Sequence, residues 1–412
     1  MSRLEQLRHS VRHAYDNTAY RAKCDAAGIA PDDLKTFEDL QRFPFTLKGD
    51  FRAHYPWGLC AVPRERLARV HASSGTTGKP TVVGYTQADL DLWHTLVARC
   101  LESAGTRPGD LVHNAYGYGL FTGGLGLHGG AEKLGCAVVP ASGGQTERQV
   151  QLILDLQPRV LCCTPSYALV LAEALAKASG GRETSLEIAL CGAEPWSARM
   201  QSEIERRLRV TALDIYGLSE VLGPGVAVER PGDRGVLTIW DDAFVAEIVD
   251  PVTGLSLPQG EEGELVFTSL SKEAMPIVRY RTGDLTRLLA PNRMARITGR
   301  SDDMLIVRGV NIFPRQIEEL ILDEPMLSPH YRIDVTREGA RDVLTITVEG
   351  KADDAAGALV PGGPPCALSE RMKSRYGLSA VVVLVEAGTL PRSDGKARRV
   401  FDHRKDQEKE KP

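Results

Sequence analysis

The chain has 412 residues, 42% hydrophobic and 25% charged, the make-up of a soluble globular protein with two or three domains. A net charge of −4 gives no reason to expect a nucleic-acid or anionic-membrane partner, and no apolar run reaches spanning length. The eight cysteines are scattered without C-x-x-C spacing, which predicts buried thiols in a reducing cytoplasm rather than disulfides or metal sites.

Residues 1 to about 50 read as a helical cap, with Leu4, Leu7 and Val11 at helical spacing and Pro31, Pro44 and Gly49 as punctuation after the helix. Next comes a run of small and hydroxylated residues: Ser73, Ser74, Gly75, Thr76, Thr77, Gly78 and Lys79, closing on the β-branched Thr81, Val82 and Val83. Glycines let a backbone turn tightly near a ligand, while hydroxyls, N–H groups and the Lys79 charge suit a polyphosphate. The nucleoside-triphosphate pattern G-x-x-x-x-G-K-[ST] is not met, because Ser73 and Pro80 stand at two of its fixed positions. A plain surface turn has the same composition.

Thr86 and Asp89 form a helix-start signature ahead of an apolar stripe at Leu90, Trp93, Val97 and Leu101. Gly124, Gly126 and Gly129 match G-x-G-x-x-G by letter, but no strand leads straight into them, so a dinucleotide site is rejected. Tyr116, Tyr118 and Phe121 alternate with glycines. That stretch is either a flat apolar wall beside a ligand or a packed, glycine-rich helix start.

From 135 to 217 short apolar runs alternate with helical segments, as in a parallel sheet buried on both faces. Three runs lead into polar turns at 164–167, 192–195 and 216–220. Ligands of such sheets lie beyond the carboxyl ends of the strands. Residues 225–300 read as a small antiparallel, barrel-like unit, and an α+β pattern begins at Met304. A Gly/Ala/Pro-rich loop interrupts it at 350–365, and a charged, disordered tail is expected after Arg404.

Six motifs in serial order carry a resemblance: the run from Ser73 to Pro80, Gly192 to Pro195, Tyr216 to Glu220, Tyr280 to Asp284, Gly299 to Asp302 and Pro391 to Lys396. Together they resemble the adenylate-forming superfamily of acyl-CoA synthetases and adenylation domains. The segments Tyr116 to Gly124, Gly192 to Trp196 and Met304 to Pro314 are similar to phenylacetate–CoA ligases and related aryl–CoA ligases. The resemblance covers nearly the whole chain. It implies an α/β fold: a large domain over 1–300 with helix-flanked sheets and the barrel-like unit, a hinge at 301–303, and a smaller, mobile α+β domain over 304–412.

It also implies a two-step reaction. A carboxylate attacks the α-phosphate of ATP, with Mg²⁺ as its counter-ion, and pyrophosphate leaves. The thiol of coenzyme A then displaces AMP to give a thioester. Lys396 would bridge the two repelling reactants, and Glu220 would hold Mg²⁺, a hard cation that prefers oxygen. The stretch from Ser73 to Lys79 would hold the leaving phosphates. Gly192, Ala193, Glu194 and the turn of Asp214, Ile215, Tyr216 and Gly217 would form the adenine wall, with Pro195 and Ser219 also binding ATP. Asp284 would accept the ribose hydroxyls beside Arg300. Asp302 matches the hinge position, which lets one site run two chemistries in turn. Arg308 and Gly309 would line the coenzyme A channel.

Tyr116, Tyr118, Phe121 and Gly124 would face the acid, and Gly130 replaces a bulkier residue of phenylacetate-type relatives. Phenylacetate, benzoate and amino- or hydroxybenzoates such as anthranilate all remain open. The zinc ligands of some relatives are replaced together, by Arg230, Thr238 and the segment Leu289 to Met294, so no structural zinc is expected. A monomer or homodimer is expected. The competing readings are a ligase that loads a carrier protein or amine, and a silent nucleotide-binding protein.

Overall fold

The computed structural model describes residues 1–73, 80–178, 180, 183–338, 341–351, 363–393, 395 and 397–404. The first helix, α1 (Arg3–Asn17), starts on a capping box: Ser2 accepts from the Glu5 N–H while Glu5 reaches back to the Ser2 N–H. Its Leu7, Val11 and Ala14 are buried with Leu34, Leu40 and Phe43 against Leu270 and Val278, so the cap is clamped onto a sheet far along the chain. Strands β1 (Arg69–Ser73) and β2 (Thr81–Tyr85) form a hairpin with Ser73 opposite Thr81.

Helix α2 (Gln87–Ser103) begins on the expected Thr86–Asp89 capping box. Asp89 also accepts from the Glu273 and Ala274 N–H groups at 2.6 and 2.9 Å. Strand β3 (Leu111–Asn114) leads through the aromatic loop to helix α3 (Thr122–Leu134). The glycines of that helix are packing surface. A Cβ on Gly126 would lie 2.4 Å from the Trp93 ring, one on Gly129 2.3 Å from His94, and one on Gly130 2.3 Å from Val97. Gly130 therefore sets the approach of α3 to α2.

Strands β4 (Ala137–Val139), β5 (Val160–Cys163), β6 (Ile188–Gly192) and β7 (Thr211–Leu218) join β3 as the parallel half of a nine-stranded sheet. Helices α4 (Thr146–Leu156), α5 (Pro165–Ala178) and α6 (Ala198–Leu208) provide the crossovers. The continuous burial of β5 and β6 is what their unbroken apolar sequences dictate.

Strands β8 (Gly223–Glu229) and β9 (Val236–Ile239) continue this sheet in antiparallel fashion. The chain then makes β10 (Phe244–Val249), β11 (Gly263–Ser269) and β12 (Tyr280–Thr286). It returns to the large sheet with β13 (Leu288–Ala290) and β14 (Arg293–Ala295), and β15 (Gly299–Arg300) pairs with β12. Residues 225–300 are thus shared between the central sheet and a four-stranded antiparallel sheet, β10-β11-β12-β15, rather than standing alone.

The rest of the chain has its own core. A hairpin, β16 (Leu305–Val307) and β17 (Val310–Ile312), precedes α7 (Pro314–Leu322), β18 (Leu327–Glu338), β19 (Arg341–Gly350), α8 (Pro364–Tyr376), β20 (Val381–Val385) and β21 (Val400–Asp402). The sheet order is β20-β19-β18-β21, and Ile317, Ile333, Val335, Ile346, Leu368 and Met372 fill the space under the helices. The cysteines are all free, with Cys366 exposed, Cys60 half-buried and the others buried. Among the described residues no helix is long and apolar enough to cross a membrane. The tail beyond Arg404 and most of the 350–365 loop lie outside the described residues.

Candidate active site

The turns that leave β5, β6 and β7 open on one edge of the parallel sheet, where its carboxyl ends lie. The three turns differ in how they are held. At the end of β6, Gly192 faces Ile215 of β7, and a Cβ there would lie 2.1 Å from the Ile215 carbonyl oxygen. Only glycine allows that approach. Ala193 then adopts φ 69°, a left-handed conformation costly for a residue with a Cβ. That turn aims Glu194 away from the strand, while Pro195 is exposed. At the end of β7, Gly217 abuts the Gly223 carbonyl, with a Cβ reaching 2.0 Å, so the β7–β8 connection is equally tight.

Tyr216 and Asp284 meet across the two sheets. The Tyr216 hydroxyl donates to Asp284 Oδ2 at 2.6 Å, and Arg300 donates to Asp284 Oδ1 at 2.7 Å. Arg300 also donates to Asp302 at 2.8 Å, so one guanidinium spans the two carboxylates. Burial and the Asp284 charge push the Tyr216 hydroxyl well above its usual range, leaving it a neutral donor.

Glu220 is buried, with the Tyr280 hydroxyl beside its carboxylate. The Tyr85 hydroxyl donates to the Ser219 and Leu222 carbonyls at 3.2 and 3.1 Å, and Thr122 contacts the Ser219 hydroxyl at 3.1 Å. Lys272, also buried, donates to the Glu220 carbonyl at 2.9 Å. Burial lowers the Lys272 ammonium to about 8. Sequence reasoning missed Lys272, whose only signal was a charge amid the apolar segment 263–278.

Asp214 is turned inward. It is buried near Arg296, whose Nε lies 3.8 Å from its carboxylate, and Arg296 also pairs with Glu229 at 3.3 Å. Any contact of Asp214 with a ligand falls to its backbone. Burial pushes its carboxyl up to about 7, with Arg296 opposing and Glu229 adding to the rise. A raised carboxyl favours the fold below the unfolded value of roughly 4, and that contribution is lost as pH rises through about 7. Asp214→Asn is therefore expected to gain on the parent protein as pH rises from about 4 to about 7, with the difference levelling off above that. Urea midpoints measured across the range check this; parallel profiles for the two proteins would refute it.

Tyr116 is buried beneath the Gly192 turn. Tyr118 is half-buried; it receives a hydrogen bond from Asn114 at 2.8 Å and contacts His128 at 3.1 Å. Asn114 also donates to the Gly124 carbonyl, so it fastens both ends of the aromatic loop. Gly124 packs on the Gly117 backbone, where a Cβ would come within 2.6 Å. Phe121 is 52% exposed. Asn114 and His128 were not foreseen as parts of this wall.

Arg308 and Gly309, with φ 52° and 78°, form the two-residue turn of the β16–β17 hairpin. The Arg308 guanidinium is held by the Ser379 carbonyl of the small domain. Ser73 ends β1, and its buried hydroxyl has no partner among the described residues. The other residues expected to hold the phosphates, Ser74 to Lys79, and Lys396 lie outside the described residues.

The residues flanking position 396 are described, and they touch the large domain. Thr164 donates to the Gly395 carbonyl at 2.9 Å, and the Ala397 N–H donates to Glu194 Oε1 at 2.5 Å. Glu194 Oε2 accepts from the Ser166 hydroxyl at 2.6 Å, and Arg399 donates to that hydroxyl at 3.1 Å. Burial raises the Glu194 carboxyl, opposed by Arg399, Ser166 and the Ala397 N–H. Expected as part of the adenine wall, the Glu194 side chain instead reaches the small domain. Of the positions that replace the zinc ligands, Thr238 pairs with Arg293 in the sheet, and Arg230 lies over the Trp240 ring.

Comparison with known proteins places this geometry. Residues 16–271 match the AMP-binding enzyme family, and 309–404 match the AMP-binding enzyme C-terminal domain. A phenylacetate-coenzyme A ligase of Aromatoleum evansii is 55% identical over 97% of this chain and 93% of its own length. A 2-hydroxyisobutyryl-CoA ligase crystallised in the postadenylation state with R3-HIB-AMP superposes with TM-score 0.90 at 29% identity, over 99% of this chain and 90% of that one. The same ligase in the thioesterification state, with 2-HIB-AMP and CoA, gives TM-score 0.70 at 31% identity, over 98% and 89% of the two chains. The chain belongs to the AMP-binding, adenylate-forming enzymes and, within them, to the phenylacetate–coenzyme A ligase family of AMP-forming acid–thiol ligases.

Proposed function

We propose that the protein converts phenylacetate, or an aryl acid of similar size, to its coenzyme A thioester through an aryl-adenylate. The observation that carries this reading is the near full-length identity to phenylacetate-coenzyme A ligases, joined to a site whose Tyr216, Asp284 and Arg300 form one hydrogen-bonded unit. In this reading Asp284 takes the ribose hydroxyls, and the Tyr116–Phe121 wall faces the ring of the acid. Gly130 supports no choice against phenylacetate, since it packs on Val97.

Mg²⁺ is the proposed counter-ion of ATP, held at Glu220. The family's chemistry supplies electrophilic phosphorus from ATP and a thiol from coenzyme A; the chain's own residues bind, orient and neutralise charge. Residues 301–303 serve as the hinge between a 1–300 domain and a mobile 304–412 domain. The better superposition on the postadenylation form supports reading the present arrangement as the one that forms adenylate. Every proposed site residue lies on one chain, so a monomer or a homodimer suffices. The free cysteines are in keeping with a cytoplasmic setting.

The test is ATP–pyrophosphate exchange over a panel of phenylacetate, benzoate, anthranilate and hydroxybenzoates, with and without Mg²⁺, and then the mass of the product with coenzyme A. Exchange is expected to be highest with phenylacetate, to require Mg²⁺ and to end in the thioester. Exchange with no aryl acid, or a product formed only on a carrier protein, would overturn the proposal.

A further inference from the structure

We propose that Glu194 is a positioning residue: the large-domain half of a latch that holds Gly395, Ala397 and Arg399 of the small domain for adenylate formation and lets them go for thioester formation. The inference rests on the functional reading above, in which the small domain presents Lys396 for the first half-reaction only.

Three bonds from two strand ends converge on these residues. Two described groups of the small domain are held from the large one: Thr164 donates to the Gly395 carbonyl, and Glu194 accepts from the Ala397 N–H. The Ser166 hydroxyl, bonded to Glu194, accepts from Arg399 at 3.1 Å. Arg399 pairs in turn with Glu318 and lies over the Tyr331 ring at 4.5 Å, both in the small domain. Glu194 thus stands at the seam, with hydrogen bonds to each side.

A side chain that must meet two reacting groups needs its backbone fixed to about half an ångström, because small misplacements cost large factors in rate. Holding Gly395 and Ala397 does that without touching either reactant. The latch is also reversible by construction. Each of these bonds runs through a side chain, and none of them belongs to a strand ladder or a shared core. Rotating the small domain breaks these hydrogen bonds together with the Glu173 pairs to His330 and Arg392, the Arg199–Asp323 pair and the Leu322 contact, while the buried interior of each domain stays its own.

Glu194→Gln keeps the shape but removes one of the two carboxylate acceptors, so Ala397 or Ser166 loses its partner. Aryl-acid-dependent ATP–pyrophosphate exchange should then fall about tenfold to 100-fold in kcat, with the ATP KM changed by less than about twofold. Thioester formation from synthetic aryl-adenylate and coenzyme A should stay within about twofold of the parent enzyme. Thr164→Val, which takes from the Gly395 carbonyl its donor in the large domain and leaves it the Ser393 hydroxyl of its own loop, should shift the same half-reaction in the same direction, and Thr164→Ser should restore it. These threonine variants test the latch independently should the Glu194 variant fold poorly.

The proposal is overturned if both half-reactions fall together, if the ATP KM rises at constant kcat, or if exchange is unchanged in the Glu194 and Thr164 variants alike. A rise in KM would make Glu194 a nucleotide-binding residue. A parent enzyme with no exchange toward any aryl acid would refute the functional reading itself, a result distinct from a failed separation of the half-reactions.

Discussion

Lys396→Ala is expected to lower aryl-acid-dependent ATP–pyrophosphate exchange by about 100- to 1,000-fold, the usual cost of removing one aimed charge from a reacting centre. Thioester formation from preformed aryl-adenylate should survive within about threefold. The reason is electrostatic. A carboxylate and a triphosphate repel at the distance where they must react, and one ammonium between them offsets both charges. The second step brings a thiol to a mixed anhydride and has no such repulsion to overcome. The neighbouring peptides at Gly395 and Ala397 meet the strand ends of the large domain, which is where such an ammonium is needed. Equal loss of both half-reactions in a folded variant would show that Lys396 does not act in the first step alone.

Asp284→Ala should lower kcat/KM for ATP by about 100-fold, mostly through KM, with a similar loss of AMP affinity. Its two oxygens already hold the Tyr216 hydroxyl and Arg300 at 2.6 and 2.7 Å. A vicinal diol donating to the same carboxylate would gain charge-assisted bonds in a half-buried site, where they are stronger than in water. Asp284→Asn, keeping one acceptor oxygen, should lose less. If both variants bind ATP normally and only unfold more easily, Asp284 is a brace between two sheets and the ribose assignment is wrong.

Much of the architecture was legible because it is set by period and punctuation. The Thr86–Asp89 box starts its helix, and the unbroken apolar runs of β5 and β6 are buried in a parallel sheet. The turns after β5, β6 and β7 lie together at the carboxyl edge, as sheet topology requires. Side-chain direction was harder to read. Glu194 comes after a left-handed Ala193, and no local pattern announces a non-glycine residue at φ 69°. In the structure that turn is followed by a Glu194 carboxylate that meets Ala397. Asp214 looked like a wall residue from its place at a strand end, yet the long-range partners Arg296 and Glu229 draw it inward. The glycines of α3 carried two readings, and only the position of Trp93, His94 and Val97 on a neighbouring helix separates packing from ligand approach. Residues 225–300 alternate as strands should, but alternation does not say which sheet each strand joins.

Arg300 divides its donors between Asp284 and Asp302. Thermodynamic reciprocity attaches a consequence to that division. On the proposed roles, whatever competes for the Asp284 oxygens would change how firmly Arg300 holds Asp302, and a rotation that pulls Asp302 away would change the hold of Asp284 on a nucleotide by the same factor. Occupancy of the proposed nucleotide site and the setting of the proposed linker would then be coupled through a single planar cation rather than through a chain of packed side chains.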